Sequence, residues 1–347
     1  MIQKQVLLGM TIGEIQESTK AYGFKNYIPR EIALWIYRRG AKSFDEMTNI
    51  SKKNREILNE NFELGLSPPV KETLSSDGSK KYLFSVPYEK YIEAAYIPEG
   101  KRHTLCISSQ IGCKLGCLFC MTGKQGFQGQ LSSNEILNQV ISLPEREKIT
   151  NLVYMGMGEP FDNTDQVLKT LDILTADYGL AVSPRKITVS TVGLIPGMKK
   201  FIGESRCQLA VSLHSPFDNE RSMLMPAQKA YSIQNIIKLL KEHDFEKRRR
   251  ISFEYILFKG LNDSDRHVKE LTRLLNGLRC RINLIRFHMI PGTPLKGTSE
   301  KEVQDFRDKL DSKGITATVR KSRGEDIMAA CGLLSTSELL KNKQSAE

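Results

Sequence analysis

The 347-residue sequence contains no run of about 18 apolar residues, so no membrane-spanning helix is predicted. Its first residues, MIQKQVLLGMTIGEIQ, meet polar and acidic side chains too early for a secretory apolar core, and a cytoplasmic location without membrane attachment is expected. Tandem repeats and low-complexity tracts are missing as well. Cysteines number seven, an odd count that in a reducing compartment argues against a disulfide scaffold and toward metal binding or thiol chemistry. With 40% hydrophobic and 26% charged residues, the composition excludes a mainly disordered or collagenous chain. What the sequence has in excess is positive charge: 51 Lys and Arg against 40 Asp and Glu, a net +11 that favours a polyanionic partner, nucleic acid first.

Residues 1–88 read as an accessory, RNA-binding unit that is mostly helical. Helices are predicted over 11–22, 29–39 and 51–61, and the turn cluster Ser75-Ser-Asp-Gly-Ser79 precedes strand-like 81–87 and 91–97. From about residue 104 short β-rich runs alternate with amphipathic helices. The strand candidates are 104–109, 151–155, 186–190, 208–213, 250–258 and 281–287, with a further one at 317–321. Helix starts are marked by Ser132 with Glu135, Asn163 with Gln166, Ser232, Asp263 or Ser264, and Ser299, and Gly314 closes the last helix. Such alternation means a parallel sheet, either doubly wound or curled into a barrel. A complete eight-unit barrel usually needs about 250 residues, so a partial (β/α)6 TIM-like barrel fits residues 89–335 better, with 336–347 as a tail. Either architecture places the active site at the carboxyl ends of the strands.

Directly after the first of these strands stands Cys113-Lys-Leu-Gly-Cys117-Leu-Phe-Cys120. Three thiolates on a short glycine-containing loop can converge on one metal centre. Structural zinc wants a fourth protein ligand, for which His103 is available, and no second CxxC pair exists. A [4Fe–4S] cluster held by three cysteines instead leaves one iron open to a small ligand.

CxxxCxxC with an aromatic before its third cysteine resembles the radical S-adenosylmethionine (SAM) superfamily. Cys106-Ile-Ser-Ser-Gln-Ile-Gly-Cys113, Gly156-Met-Gly-Glu-Pro160, Val189-Ser-Thr-Val-Gly193, Ser212-Leu-His-Ser215 and Arg323-Gly-Glu-Asp-Ile-Met-Ala-Ala-Cys331-Gly332 follow in order. Together, over about residues 93–332, they resemble the RlmN/Cfr family of 23S rRNA adenine methyltransferases. That resemblance implies a radical SAM barrel, a [4Fe–4S] cluster on Cys113, Cys117 and Cys120, and SAM contacted by Gly158, Glu159, Ser190, Ser212, Leu213 and His214. His288 stands where the family commonly has an asparagine that contacts SAM.

The implied reaction places a methyl group on C2 of an adenosine in 23S rRNA, with tRNA a second candidate substrate, and consumes two SAM per turnover. One SAM methylates Cys331, and the 5′-deoxyadenosyl radical from the other takes hydrogen from that S-methyl group. The S–CH₂ radical adds to the base, Glu93 accepts the C2 proton, and Cys106 attacks the Cys331 sulfur. A Cys106–Cys331 disulfide results, so an electron donor and a disulfide reductant are implied as partners. The C8-methylating branch of the family is the alternative; Pro160 after Glu159 and the stretch Met121-Thr-Gly-Lys-Gln-Gly-Phe127 look more like the C2 branch. An alternative of another class, a non-catalytic RNA-binding protein with structural zinc, leaves Cys106 and Cys331 without a role. RNA contact is expected from Arg30, Arg38 and Arg39, from Lys52, Lys53 and Arg55, from 247–250, and from Arg320, Lys321 and Arg323.

Overall fold

The computed structural model describes residues 4–245 and 251–336; the basic run at 247–250 and tail residues 337–347 lie outside the described residues. In the N-terminal unit Thr11 caps helix Ile12–Thr19. Its hydroxyl accepts from the Glu14 N–H (3.3 Å), and the Glu14 carboxylate accepts from the Thr11 N–H (2.8 Å). The helix predicted at 29–39 forms as Ile28–Ala33 and widens into a π turn over Leu34–Arg39. Ser51 caps the third helix, Lys52–Asn61. Strands β1 (Gln5–Val6) and β2 (Phe62–Glu63) pair in parallel and close this unit around Ile15, Ile32, Ile36, Tyr37 and Leu58.

The remaining sheet opens with three antiparallel strands, β3 (Lys71–Leu74), β4 (Lys80–Val86) and β5 (Lys90–Glu99). Strand β6 (Arg102–Cys106) pairs antiparallel with β5. A hairpin of β7 (Gln110–Gly112) and β8 (Phe127–Gln130) then frames the cysteine loop. From β6 onward all neighbours are parallel: β9 (Asn151–Tyr154), β10 (Ile187–Thr191), β11 (Gln208–Ser212), β12 (Ile251–Leu257), β13 (Cys280–Arg286) and β14 (Ala317–Arg320).

Spatial order equals chain order from β6 to β14, with no reversal. A doubly wound sheet requires a reversal, so this sheet winds one way and is a partial barrel. Helices Ser133–Ile141, Thr164–Thr175, Ile195–Glu204, Ile233–Glu242, Asp265–Leu275 and Glu300–Ser312 follow the first six parallel strands. Sequence reading had not marked Ile195–Glu204, which starts on Pro196 rather than a side-chain cap and buries Met198 and Phe201. The N-terminal unit docks on the first barrel helix: the Ser133 hydroxyl donates to the Gly9 carbonyl (2.9 Å), and Ser67 and Asn138 exchange two hydrogen bonds.

Candidate active site

Side chains alternate along a strand, so one parity of each barrel strand faces the lumen. Thr104 and Cys106, Val153 and Met155, Ser252 and Glu254, Asn283 and Ile285, and Thr318 and Arg320 all line one cavity of about 1060 Å³. Ser190 and Ser212 share the parity of the cavity-lining Thr188 and Gln208, two and four residues nearer the carboxyl ends of β10 and β11. The expected SAM-contacting serines therefore stand on the lumen face, just above the cavity.

The cysteine loop crosses the top of the barrel. Phe119 packs edge-on against His214 (4.6 Å between ring centroids) and at 5.8 Å from Phe258, residues that follow β11 and β12. The Leu118 N–H donates to the Leu224 carbonyl (2.9 Å), and Lys114 pairs with Asp162 (2.6 Å). The turn needs glycine at 112, where a Cβ would lie 1.7 Å from the Gly126 carbonyl oxygen and φ is +70°. Cys113, Cys117 and Cys120 interact electrostatically with one another, and burial pushes all three thiols up, Cys113 to about 12. Among the described residues no three His, Cys, Asp or Glu groups already stand in metal-holding geometry. The donor set itself fits three-thiolate ligation. His103 is no fourth ligand: it lies near the start of β6, stacked on Tyr96, with its Nδ1 2.5 Å from the Tyr96 hydroxyl.

Gly158 (φ +97°) brings its backbone against Gln110, where a Cβ would lie 2.4 Å from the Gln110 Cβ. Gln110 in turn accepts from the Glu159 N–H (2.8 Å). The buried Glu159 carboxylate accepts from the N–H groups of Phe161 (3.0 Å) and Val192 (2.9 Å), and burial raises it to about 7. His214 holds a left-handed backbone (φ +54°); its Nδ1 accepts from the Ile256 N–H (3.0 Å), and burial, with the nearby Arg221 charge, lowers it to about 3. It is a neutral ring with its Nε2 carrying the proton. Leu213 is fully buried. His288 lines the cavity, 3.0 Å from the Ser322 hydroxyl and 3.4 Å from Glu325.

The segment carrying Cys331 is zipped onto the cysteine loop. The Met121 N–H donates to the Gly332 carbonyl (2.8 Å), and the Thr122 hydroxyl to the Leu334 carbonyl (2.6 Å). Upstream, Asp77 and Asp326 tie the 75–79 turn to the same segment: Gly324 N–H donates to Asp77 (3.0 Å), and the Ser75 hydroxyl donates to Asp326 (2.6 Å). Cys331 lies within electrostatic reach of Cys120 and of Cys106, and the Arg320 guanidinium within reach of both Cys331 and Cys106. Glu93, buried on β5, pairs with Lys81 (3.0 Å) and accepts from the Ser335 N–H (2.9 Å). All three expected catalytic residues thus meet one C-terminal segment.

Three functional candidates escaped sequence reading. Glu254 is buried, with Oε1 accepting from Asn283 (2.8 Å) and Oε2 without a hydrogen-bond partner among the described residues. A lone carboxylate inside the apolar run Ile251–Leu257 was its signal. Arg221, wholly buried, donates to the carbonyls of Val192 (2.7 Å), Ser212 (2.9 Å) and Leu213 (3.2 Å), and burial lowers it to about 10. Nothing local in the sequence marks it. Lys81, the partner of Glu93, likewise had no local signal.

Residues 107–272 match the Radical SAM superfamily, and residues 6–64 match the Ribosomal RNA large subunit methyltransferase N-terminal domain. A Bacteroides fragilis protein named probable dual-specificity RNA methyltransferase RlmN is 56% identical over 96% of this chain and 97% of its own. The Syntrophus aciditrophicus dual-specificity RNA methyltransferase RlmN is 43% identical over 94% and 95%. The chain belongs to the RlmN family. A crystal structure of a radical SAM methyltransferase from Sphaerobacter thermophilus superposes with a TM-score of 0.89 at 39% identity, covering 95% of this chain and 99% of that one. An RlmN-family enzyme of this superfamily uses a [4Fe–4S] cluster and SAM, which the three-thiol loop and the lumen-facing serines above the cavity suit. No helix among the described residues is long and apolar enough to cross a membrane.

Proposed function

We propose that this chain methylates C2 of an adenosine in 23S rRNA, with tRNA as a second substrate, through a methyl group carried on Cys331. The observation that carries the reading is that Cys331 and Cys106 line one cavity together with Arg320, with Cys331 also within electrostatic reach of Cys120. When bound, the cluster with SAM supplies the methyl group and the hydrogen-abstracting radical.

The chain supplies the rest. Cys331 takes the methyl group by displacement, leaving one SAM spent, and a second SAM is needed to activate it. Carried on a segment anchored at both ends, the methyl group is held at the cavity wall. Glu93, held 3.0 Å from the Lys81 ammonium, accepts the C2 proton. Cys106 closes the cycle by attacking the Cys331 sulfur: the bond from that sulfur to the transferred methylene breaks, a disulfide forms, and the carbon left on C2 takes up a proton to become the methyl group, while the odd electron left by radical addition would return to the bound cluster.

Burial pushes the Cys106 thiol up to about 12, while Arg320 pulls the other way. The resolving thiol thus rests protonated, and Arg320 favours its thiolate when it acts. An electron donor and a disulfide reductant complete the cycle, which suits a reducing cytoplasm.

Mass-spectrometric mapping of rRNA and tRNA from cells with and without the protein tests the reading: a lost 2-methyladenosine supports it, and a lost 8-methyladenosine overturns it. Cys331→Ala should abolish methylation and any adduct. Cys106→Ala should accumulate protein covalently joined to RNA, seen as a shifted band in denaturing gels.

A further inference from the structure

The cavity has two ends, and they differ in what closes them. At the strands' carboxyl ends the chain covers itself: Phe119 lies on His214 and Phe258, Lys124 reaches the Pro291 carbonyl, and the 331–336 segment bonds to the cysteine loop. At the opposite end the lining consists of residues at or just before strand starts. Arg102 opens β6, Arg185 precedes β10, Arg279 precedes β13, and Arg281 is its second residue.

Arg102, Arg185 and Arg279 are exposed, and among the described residues none of the four forms an ion pair with an acidic group; Arg102 only donates to Thr104 (3.2 Å). Two carboxylates, Glu99 and Glu254, line the whole cavity against them. Three of the arginines expected to meet RNA on the N-terminal unit are spent differently. Arg30 pairs with Asp177 (2.7 Å), Arg38 donates to the Asp177 carbonyl (3.2 Å), and Arg39 lies over the Trp35 ring (4.5 Å) near Glu31 (3.7 Å).

Unpartnered guanidinium groups around a mouth are a phosphate-binding arrangement. A target base must also leave its stack to reach a reaction centre inside a barrel. Resting on the proposed RNA substrate, we infer that RNA enters from the amino-terminal end of the barrel, where Arg102, Arg185, Arg279 and Arg281 hold the phosphates flanking an extruded adenosine. Arg102 and Cys106 share one face of β6, four residues and about 13 Å apart at 3.3 Å per residue. The phosphates are gripped at the mouth while the base reaches the level of Cys106 and Arg320. The site reads backbone charge and the single-stranded, splayed form of the RNA rather than its sequence.

The test uses the holoenzyme and an unmodified 23S rRNA transcript, with binding measured across a range of salt. Replacing all four arginines by glutamine should weaken binding at least about tenfold near 150 mM salt and flatten the slope of log affinity against log salt by about 3. The matching lysine replacements should recover most of both, which a folding defect would not. Glutamine at Lys199, Lys238, Lys269 and Lys301, exposed on outer helices, removes the same net charge and should change neither by more than a small factor. The entry inference fails if wild-type enzyme methylates the transcript while the arginine variant binds it with unchanged affinity and slope, or if the outer-lysine variant loses as much. Wild-type enzyme that neither binds nor methylates RNA sinks the substrate reading itself.

Discussion

At the carboxyl ends of the strands, polar side chains are spent on the chain's own backbone; in the lumen below, several are left over. Glu159, His214 and Arg221 between them meet the backbone of Phe161, Val192, Ser212, Leu213 and Ile256. Among the described residues, Glu254 in the lumen keeps one oxygen without a hydrogen bond, and the Arg320 side chain has only the Met155 sulfur as a hydrogen-bond partner (3.4 Å). The first region is a platform whose shape is fixed before any ligand arrives. The second is a chamber whose charges await one, and a fold tolerates such leftovers only where function uses them. Substitutions in the two regions should therefore move stability in opposite directions.

Arg221→Met should do the most damage. It strips donors from the carbonyls of Val192, Ser212 and Leu213 in a fully buried site, at a cost of roughly 3–5 kcal/mol. Calorimetry would read this as a lowered thermal midpoint, and the comparison breaks if the midpoint is unmoved. Gly158→Ala ranks next. Its new Cβ would overlap Gln110 and force an alanine to a φ of +97°, costing on the order of 1–3 kcal/mol and weakening SAM binding measured by titration calorimetry.

His214 sharpens the contrast through pH. Held neutral in the fold to about pH 3, it binds its proton more weakly folded than unfolded, where histidine titrates near 6.5. Its contribution is therefore complete above pH 6.5 and declines as the solution is acidified. Between pH 6.5 and 5.5 the loss is about 1 kcal/mol, rising toward about 1.4 kcal/mol for each further pH unit down to pH 4, and His214→Gln should flatten that slope in denaturant melts.

What the sequence made legible follows from the range of the forces involved. Short β-rich runs announced all seven parallel strands, and capping boxes at Ser132 and Ser299 marked helix starts because those signals are local. Cys113, Cys117 and Cys120 were legible because ligand spacing on one loop is local too. Arg221 was not: its carbonyl partner at Val192 lies 29 residues away in the chain. The pairing of Lys81 with Glu93 depends on the register of β4 against β5, and the hold of Ser335 on Glu93 spans 242 positions. The π turn at Leu34–Arg39 and the Gln5–Val6 strand are likewise set by what packs against them.

Glu254→Gln carries the smallest effect and the most telling sign. In the native chain burial raises the Glu254 carboxyl, Asn283 and Ser252 serve Oε1, and Oε2 has no hydrogen bond among the described residues. Glutamine keeps the accepting oxygen and replaces the charge-prone one with a neutral amide, which should stabilise the fold by about 1 kcal/mol. The same change takes a negative charge away from Arg320, whose guanidinium is favoured first by Cys331 and then by Glu254 and Cys106. A gain in thermal midpoint together with slower RNA methylation is the expected outcome, the trade of stability for activity that a reaction chamber implies. Lower stability with unchanged methylation would place Glu254 with the platform residues and erase the distinction between the two regions.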